Sequence, residues 1–261
     1  MDPTPPPESQ LQSRLDAIAT RWSLVREAHV AGAPQDATVA RQALVLRYAK
    51  SVRRYIGGIV RNTGDADELA QDAIVRLMKG DFAGADPGRG RFRDLLKTAV
   101  RNMVHSHWAK ANRRRPADAD LDGVAGADDG RDARDALWDA EFRSNVLDHA
   151  WAALREFERR TPTNPAYTLL KLRTEFPEAS GDELAVELGA RLGRAVRADA
   201  GRQMLRRARL RFAEALVDEI ARGLADPSPA RVAEELADLG LLDHVKDFLP
   251  ADWAARGALA E

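Results

Sequence analysis

The chain has 261 residues, 44% of them hydrophobic and 31% charged, with a formal net charge of −1 and no cysteine. That length favours two compact units with connecting segments, and the missing cysteines exclude disulfides, thiolate chemistry and Cys-ligated zinc. No apolar run approaches the roughly 18 residues that span a bilayer, and Met1–Gln10 lacks the basic start and apolar stretch of an export signal, so a cytoplasmic protein with no membrane partner is expected.

Residues 1–35 read as a partly disordered N-terminal extension with a Pro-rich start, a helix over Leu11–Val30 and a break at Gly32-Ala33-Pro34. A helix from about Thr38 to Arg61 follows, with Leu44, Tyr48, Val52, Tyr55 and Ile59 recurring every three or four residues and Gly57-Gly58 weakening it locally. Asp65, with Glu68 three residues on, predicts a capping box for a helix over Ala66–Met78. A glycine-rich loop, Lys79–Gly90, then leads into a long helix over Phe92–Asn112 with an apolar stripe of Phe92, Leu95, Leu96, Ala99, Val100 and Met103. Residues 36–115 make up the first expected domain. Residues 116–132, rich in Asp and Gly, read as a flexible acidic linker.

The second expected domain, residues 133–224, divides into helices over Ala133–Arg160, Ala166–Phe176, Gly181–Leu192 and Ala198–Ala221, with Ser180 placed to cap the third. An acidic tail, residues 225–261, carries Leu236, Leu239, Leu241, Leu242, Phe248, Leu249 and Trp253 and is expected to pack as one or two short helices. No run of alternating β-branched residues appears, so the expected fold is all-α, with two small helical domains.

Charge is segregated along the chain. Gly88–Arg115 carries about +8, Pro116–Asp139 about −6 and Arg191–Arg211 about +7. Two basic stretches separated by an acidic one point to two nucleic-acid contacts on one chain. On the Phe92–Asn112 helix, Arg93, Lys97, Arg101, Val104 and Trp108 define a second face opposite the apolar stripe, and Arg113, Arg114 and Arg115 extend its charge. Cations followed by an indole suit an unstacked strand, the ring stacking on a base for about 1–3 kcal/mol; Asn102 offers hydrogen bonds to a base edge. In the last helix of the second domain Leu205, Ala208, Phe212, Leu216 and Ile220 form a core stripe, while Arg202, Arg206, Arg207 and Arg209 project elsewhere. With Leu184, Val186 and Leu188 on the preceding helix and a break at Gly193, this reads as a helix-turn-helix whose arginines meet guanine and whose Gln203 meets adenine.

Taken together, Asp65-Ala66-Asp67-Glu68-Leu69-Ala70-Gln71-Asp72-Ala73, the Phe92–Arg115 stretch with its Ala99-Val100-Arg101-Asn102 centre, and Arg202-Gln203-Met204-Leu205-Arg206-Arg207-Ala208-Arg209 resemble the extracytoplasmic-function sigma factors, and among them planctomycete-type members. The resemblance implies that Asp67, Glu68, Gln71 and Asp72 bind core RNA polymerase. It implies that Arg93, Lys97, Arg101, Asn102, His105, Trp108 and Arg113–Arg115 open and read a minus-10 element. It implies that Arg197, Arg202, Gln203, Arg206, Arg207 and Arg209 bind a minus-35 element. Where the family often has an acid four residues after the Asn, this chain has Ser106, and the tail after Leu224 lies outside the usual two-module plan.

The expected partners are therefore core polymerase and promoter DNA, with an anti-sigma inhibitor left open and a monomer expected when free; no cofactor or metal is expected. His105 and His107, two apart on a helix, make a poor metal pair, and Gly88-Arg89-Gly90 follows no strand, so an enzyme finds little support. The rival reading is a helix-turn-helix regulator that does not engage polymerase. Such a protein usually dimerises on a palindrome, whereas two unlike basic modules suit two unlike DNA elements.

Overall fold

A computed structural model describes residues 34–79, 91–114, 131–224 and 227–246. All regular structure among them is helical, in chain order α1 (Pro34–Ile59), α2 (Thr63–Lys79), α3 (Phe92–Arg114), α4 (Arg131–Arg160), α5 (Ala166–Glu175), α6 (Gly181–Leu192), α7 (Ala198–Ala221), α8 (Pro229–Asp238) and α9 (Leu242–Val245). None of these helices is long and apolar enough to cross a membrane. The chain divides into two compact units, one holding the described residues up to Asn145 together with residues 222–224 and the other residues 146–221 and 227–246, so that one boundary falls inside α4.

In the amino-terminal unit α1 buries Leu44, Tyr48, Val52, Tyr55 and Ile56, a spacing of three or four residues that keeps one side of the helix inward. The helix opens at Pro34 rather than Thr38, since proline is tolerated in a first turn where its missing N–H has no intrahelical partner. It also runs through Gly57-Gly58 to Ile59. There a Cβ on Gly58 would lie 2.7 Å from Leu137 Cδ2, so this glycine lets α4 approach closely. The expected Asp65 cap is replaced by Asn62, whose Oδ1 accepts from the N–H groups of Gly64 (2.9 Å) and Asp65 (3.2 Å) and starts α2 at Thr63. Helix α2 then buries Ala66, Leu69, Ala70, Ala73 and Leu77.

The first half of α4 departs from the sequence expectation, which placed it with the second domain from residue 133. Its Trp138 is 1% exposed and meets Tyr55 edge-on with ring centroids 5.0 Å apart, and its Phe142 stacks on Tyr48 at 6.1 Å. Tyr48 also packs on Phe92 at 5.1 Å. This aromatic cluster makes residues up to Asn145 part of the amino-terminal core. Of the expected linker, Arg131 and Asp132 are already helical, and residues 115–130 lie outside the described ones.

The carboxy-terminal unit is built on Leu154, Ala166, Leu170 and Ala208, flanked by Trp151, Phe157, Tyr167, Leu205 and Phe212, and on Leu169, Leu172, Leu184 and Leu188. Ser180 caps α6 through a full capping box: its Oγ accepts from Glu183 N–H (3.2 Å), and Glu183 Oε2 accepts from Ser180 N–H (2.7 Å). Ser228 caps α8, and Gly240, at φ 64°, closes it with a Schellman pattern in which Leu241 N–H donates to Leu236 O at 2.7 Å. In this tail Val232, Ala233, Leu236, Leu239, Leu241 and Val245 are buried, and α8 packs on α7. Phe248, Leu249 and Trp253 lie outside the described residues.

Candidate nucleic-acid interface

Helix α2 sorts its residues by face. With Leu69, Ala70, Ala73 and Leu77 buried, Asp67, Glu68, Gln71 and Asp72 are exposed. Asp67 accepts from Arg53 at 2.8 Å in a pair that is more than half exposed on both sides, a contact that holds little energy and is easily exchanged for another partner. Asp65, one turn back, lies 3.3 Å from His107 Nε2 and ties α2 to α3. Glu68, Asp72, Arg76, Asn102, Ser106 and Lys110 line the groove between the two helices.

Helix α3 corrects the expectation of an exposed basic stripe. Arg93 is 7% exposed; its guanidinium reaches Asp139 Oδ1 at 3.4 Å and lies 5.8 Å from the centre of the Phe142 ring. Lys97 and Arg101 both reach one carboxylate, Asp135, at 3.3 and 3.4 Å. Trp108 is half-buried, with the Arg134 guanidinium 5.4 Å from its ring centre and His105 edge-on at 5.6 Å. The face expected to meet a strand is therefore packed under the first half of α4. The same packing buries Tyr55, and that burial raises its phenol above the ordinary value.

What α3 leaves in solvent is the other side. Asn102, His105, Ser106, Lys110 and Arg113 are exposed, and Asn102, Ser106, Lys110 and Arg113 follow at spacings of four, four and three. Ser106 Oγ donates back to Asn102 O at 2.8 Å, and Arg113 Nε to Ala109 O at 3.2 Å. The side chain of Arg114 and all of Arg115 lie outside the described residues.

Reading of the sequence missed Trp138, Phe142, Asp135 and Asp139. A signal was present: Trp138, Phe142, Val146, Ala150 and Leu154, all buried, continue at a strict spacing of four across the junction of the two units.

In the carboxy-terminal unit a five-residue turn joins α6 to α7, where the sequence leads one to expect a helix-turn-helix. Gly193 ends α6 in the left-handed region at φ 64°, and Arg194 N–H donates to Gly189 O at 3.1 Å. Two further glycines, whose roles the sequence reading did not foresee, make the elbow possible. A Cβ on Gly189 would sit 2.9 Å from the Arg194 carbonyl oxygen, and one on Gly201 would sit 3.3 Å from Ala185 Cβ where α6 and α7 cross. Arg197, Arg202, Gln203, Arg206, Arg207 and Arg209 are all exposed. Arg197 makes two hydrogen bonds to Asp199, at 3.2 and 3.0 Å, and Arg202 lies 3.7 Å from Asp182. Val186, expected to help hold the first helix, is 74% exposed, since Leu184 and Leu188 occupy the buried side.

Residues 44–114 match the family model for sigma-70 region 2. The amino-terminal unit carries a sigma-70 region 2 domain. That match covers α2, α3 and most of α1, and stops short of α4. No curated protein and no solved structure matches the chain.

Proposed function

We propose that the chain is a sigma factor of the extracytoplasmic-function type, which binds core RNA polymerase through α2 and directs it to promoters. The observation that carries this reading is the region 2 match over residues 44–114, in which Glu68, Gln71 and Asp72 stand exposed on one face of α2. Their acidic and amide groups suit a basic protein surface. The region 2 domain opens and reads the minus-10 element with the exposed groups of α3, among them Asn102, His105 and Arg113. The carboxy-terminal unit reads the minus-35 element with Arg202, Gln203, Arg206, Arg207 and Arg209 on α7, and Arg197 at its start supports a phosphate.

The tail supports the carboxy-terminal unit by covering apolar surface on α7. The arginines of α7 are exposed alongside the described part of the tail, residues 227–246, which favours packing as the role of that part.

Run-off transcription with cognate core enzyme tests the proposal. The wild-type chain is expected to program promoter-specific initiation, and Gln71→Ala combined with Glu68→Arg to abolish it while leaving the fold intact by circular dichroism. A chain that never co-purifies with core polymerase would refute the sigma reading in favour of a regulator acting on DNA alone.

A further inference from the structure

The region 2 match ends at residue 114, yet the packing does not. Residues 131–145 place Trp138 and Phe142 into the centre of the domain and set three of its cations, Arg93, Lys97 and Arg101, against Asp139 and Asp135. Two accounts fit such a cover. It is either a lid, displaced when a strand binds, or a wall that stays in place while the strand takes another path.

Burial decides between them. An electrostatic lid would hold through exposed charge pairs and leave its apolar groups outside. Here Phe142 packs on Tyr48, which meets Phe92, and Trp138 packs on Tyr55, all 5% exposed or less, so lifting α4 would open the core of the domain itself. Gly58 sharpens the point, because its bare Cα is what lets Leu137 come against α1.

We infer that residues 131–145 are a permanent fourth helix of the promoter-reading domain. They close the Arg93–Lys97–Arg101–Trp108 face of α3 to nucleic acid and direct a single strand to the opposite stripe of Asn102, Ser106, Lys110 and Arg113. Asp135 is a positioning residue: by holding Lys97 and Arg101 together it fixes the rotation of α3 and so the direction in which that stripe points. This rests on the proposed function for its ligand, promoter DNA, but not for the wall itself.

The cysteine-free chain allows a direct test. Gly58→Cys with Leu137→Cys introduces a pair where a Cβ on Gly58 would lie 3.7 Å from Leu137 Cγ, and thiol titration of the oxidised protein establishes that the disulfide has formed before it is used. Oxidised and reduced forms are then compared, in holoenzyme with core polymerase, for opening of a promoter selected with the wild-type protein, followed by permanganate reactivity of unpaired thymines. The wall predicts equal opening within about twofold, and a loss of about tenfold on Asn102→Ala. Opening that is lost on oxidation and restored by reductant would overturn it and make α4 a lid.

For the positioning role, Asp135→Ala is expected to lower opening while Asp135→Glu restores it; opening unchanged by Asp135→Ala would remove that role. Hydrogen exchange of the free chain gives a reading independent of polymerase. Amides of residues 138–145 are expected to be as protected as those of α3, and fast exchange there would sink the wall. If no variant, nor the wild type, binds polymerase, the proposed function fails while the exchange result still decides the wall.

Discussion

Trp138→Ala tests whether α4 belongs to the amino-terminal core. The side chain is 1% exposed and its ring stands edge-on to Tyr55 at 5.0 Å, so truncation removes a fully buried indole and one aromatic pair. Large aromatic-to-alanine changes in a core cost about 3–5 kcal/mol, and the pair itself accounts for about 0.5–1.5 kcal/mol beyond its area. Against a typical domain stability of about 5–15 kcal/mol that is a large fraction. At about 1.4 kcal/mol per factor of ten, amides that exchange by unfolding of this unit should speed up by about 10²-fold to several thousandfold. The assay is native-state hydrogen exchange read at Leu96, Val100 and Val104 of α3, with Leu169 and Leu216 of the other unit as reference. Faster exchange confined to the reference residues would assign Trp138 to the carboxy-terminal unit and refute the reasoning.

Gly189→Ala should destabilise the carboxy-terminal unit by about 1–3 kcal/mol in thermal unfolding despite a gain in helix propensity of about 1 kcal/mol, because the new Cβ meets the Arg194 carbonyl at 2.9 Å. Ser180→Ala should cost about 0.5–2 kcal/mol by urea denaturation through loss of the α6 cap. The Ser180 backbone N–H, and then its hydroxyl, hold the Glu183 carboxyl below its ordinary value. A carboxylate lowered in the native state stabilises above its unfolded value and loses this as pH falls through its native one, so the stability gap between wild type and Glu183→Ala should close on acidification. Hydrogen bonds from Arg159 and Arg160 take Glu156 down to about 2, and a carbon-detected NMR titration should show that midpoint move upward in Arg160→Ala.

The helices of this chain are legible because each carries a local mark: apolar spacing in α1 and α3, the Ser180-to-Glu183 box before α6, and the Gly193 break before α7. Asp65 and Glu68 mimic a box before the apolar run of α2, whereas the cap is Asn62, three residues earlier, whose amide oxygen reaches two N–H groups at once. The assignment of a helix to a unit has no such mark. Trp138 and Phe142 look like the start of the stripe that continues through Val146 and Leu154, and only tertiary packing shows that the stripe serves two cores. The same blindness affected the basic face, since periodicity says which residues share a side of α3 and nothing about what covers it.

The charge that the basic stretch offers to DNA depends on what covers it, and salt dependence measures the count. Gly88–Arg115 sums to about +8 in sequence, but cations already held by a carboxylate release no counterion when DNA binds. Arg93, Lys97 and Arg101 are so held, by Asp139 and Asp135, and their side chains are no more than 25% exposed. Lys110 and Arg113 are exposed on the other side. For single-stranded DNA each phosphate contact contributes about 0.7 to the slope of log K against log salt. Measured by fluorescence anisotropy with the holoenzyme and a minus-10 oligonucleotide, Lys110→Ala and Arg113→Ala should each reduce the slope by about 0.7. Lys97→Ala and Arg101→Ala should leave it unchanged while lowering the stability of the domain, because each leaves the half-buried Asp135 with one partner fewer. The reverse pattern would mean that the strand enters beneath α4, and that Asp135 and Asp139 compete with DNA rather than shaping the surface that meets it.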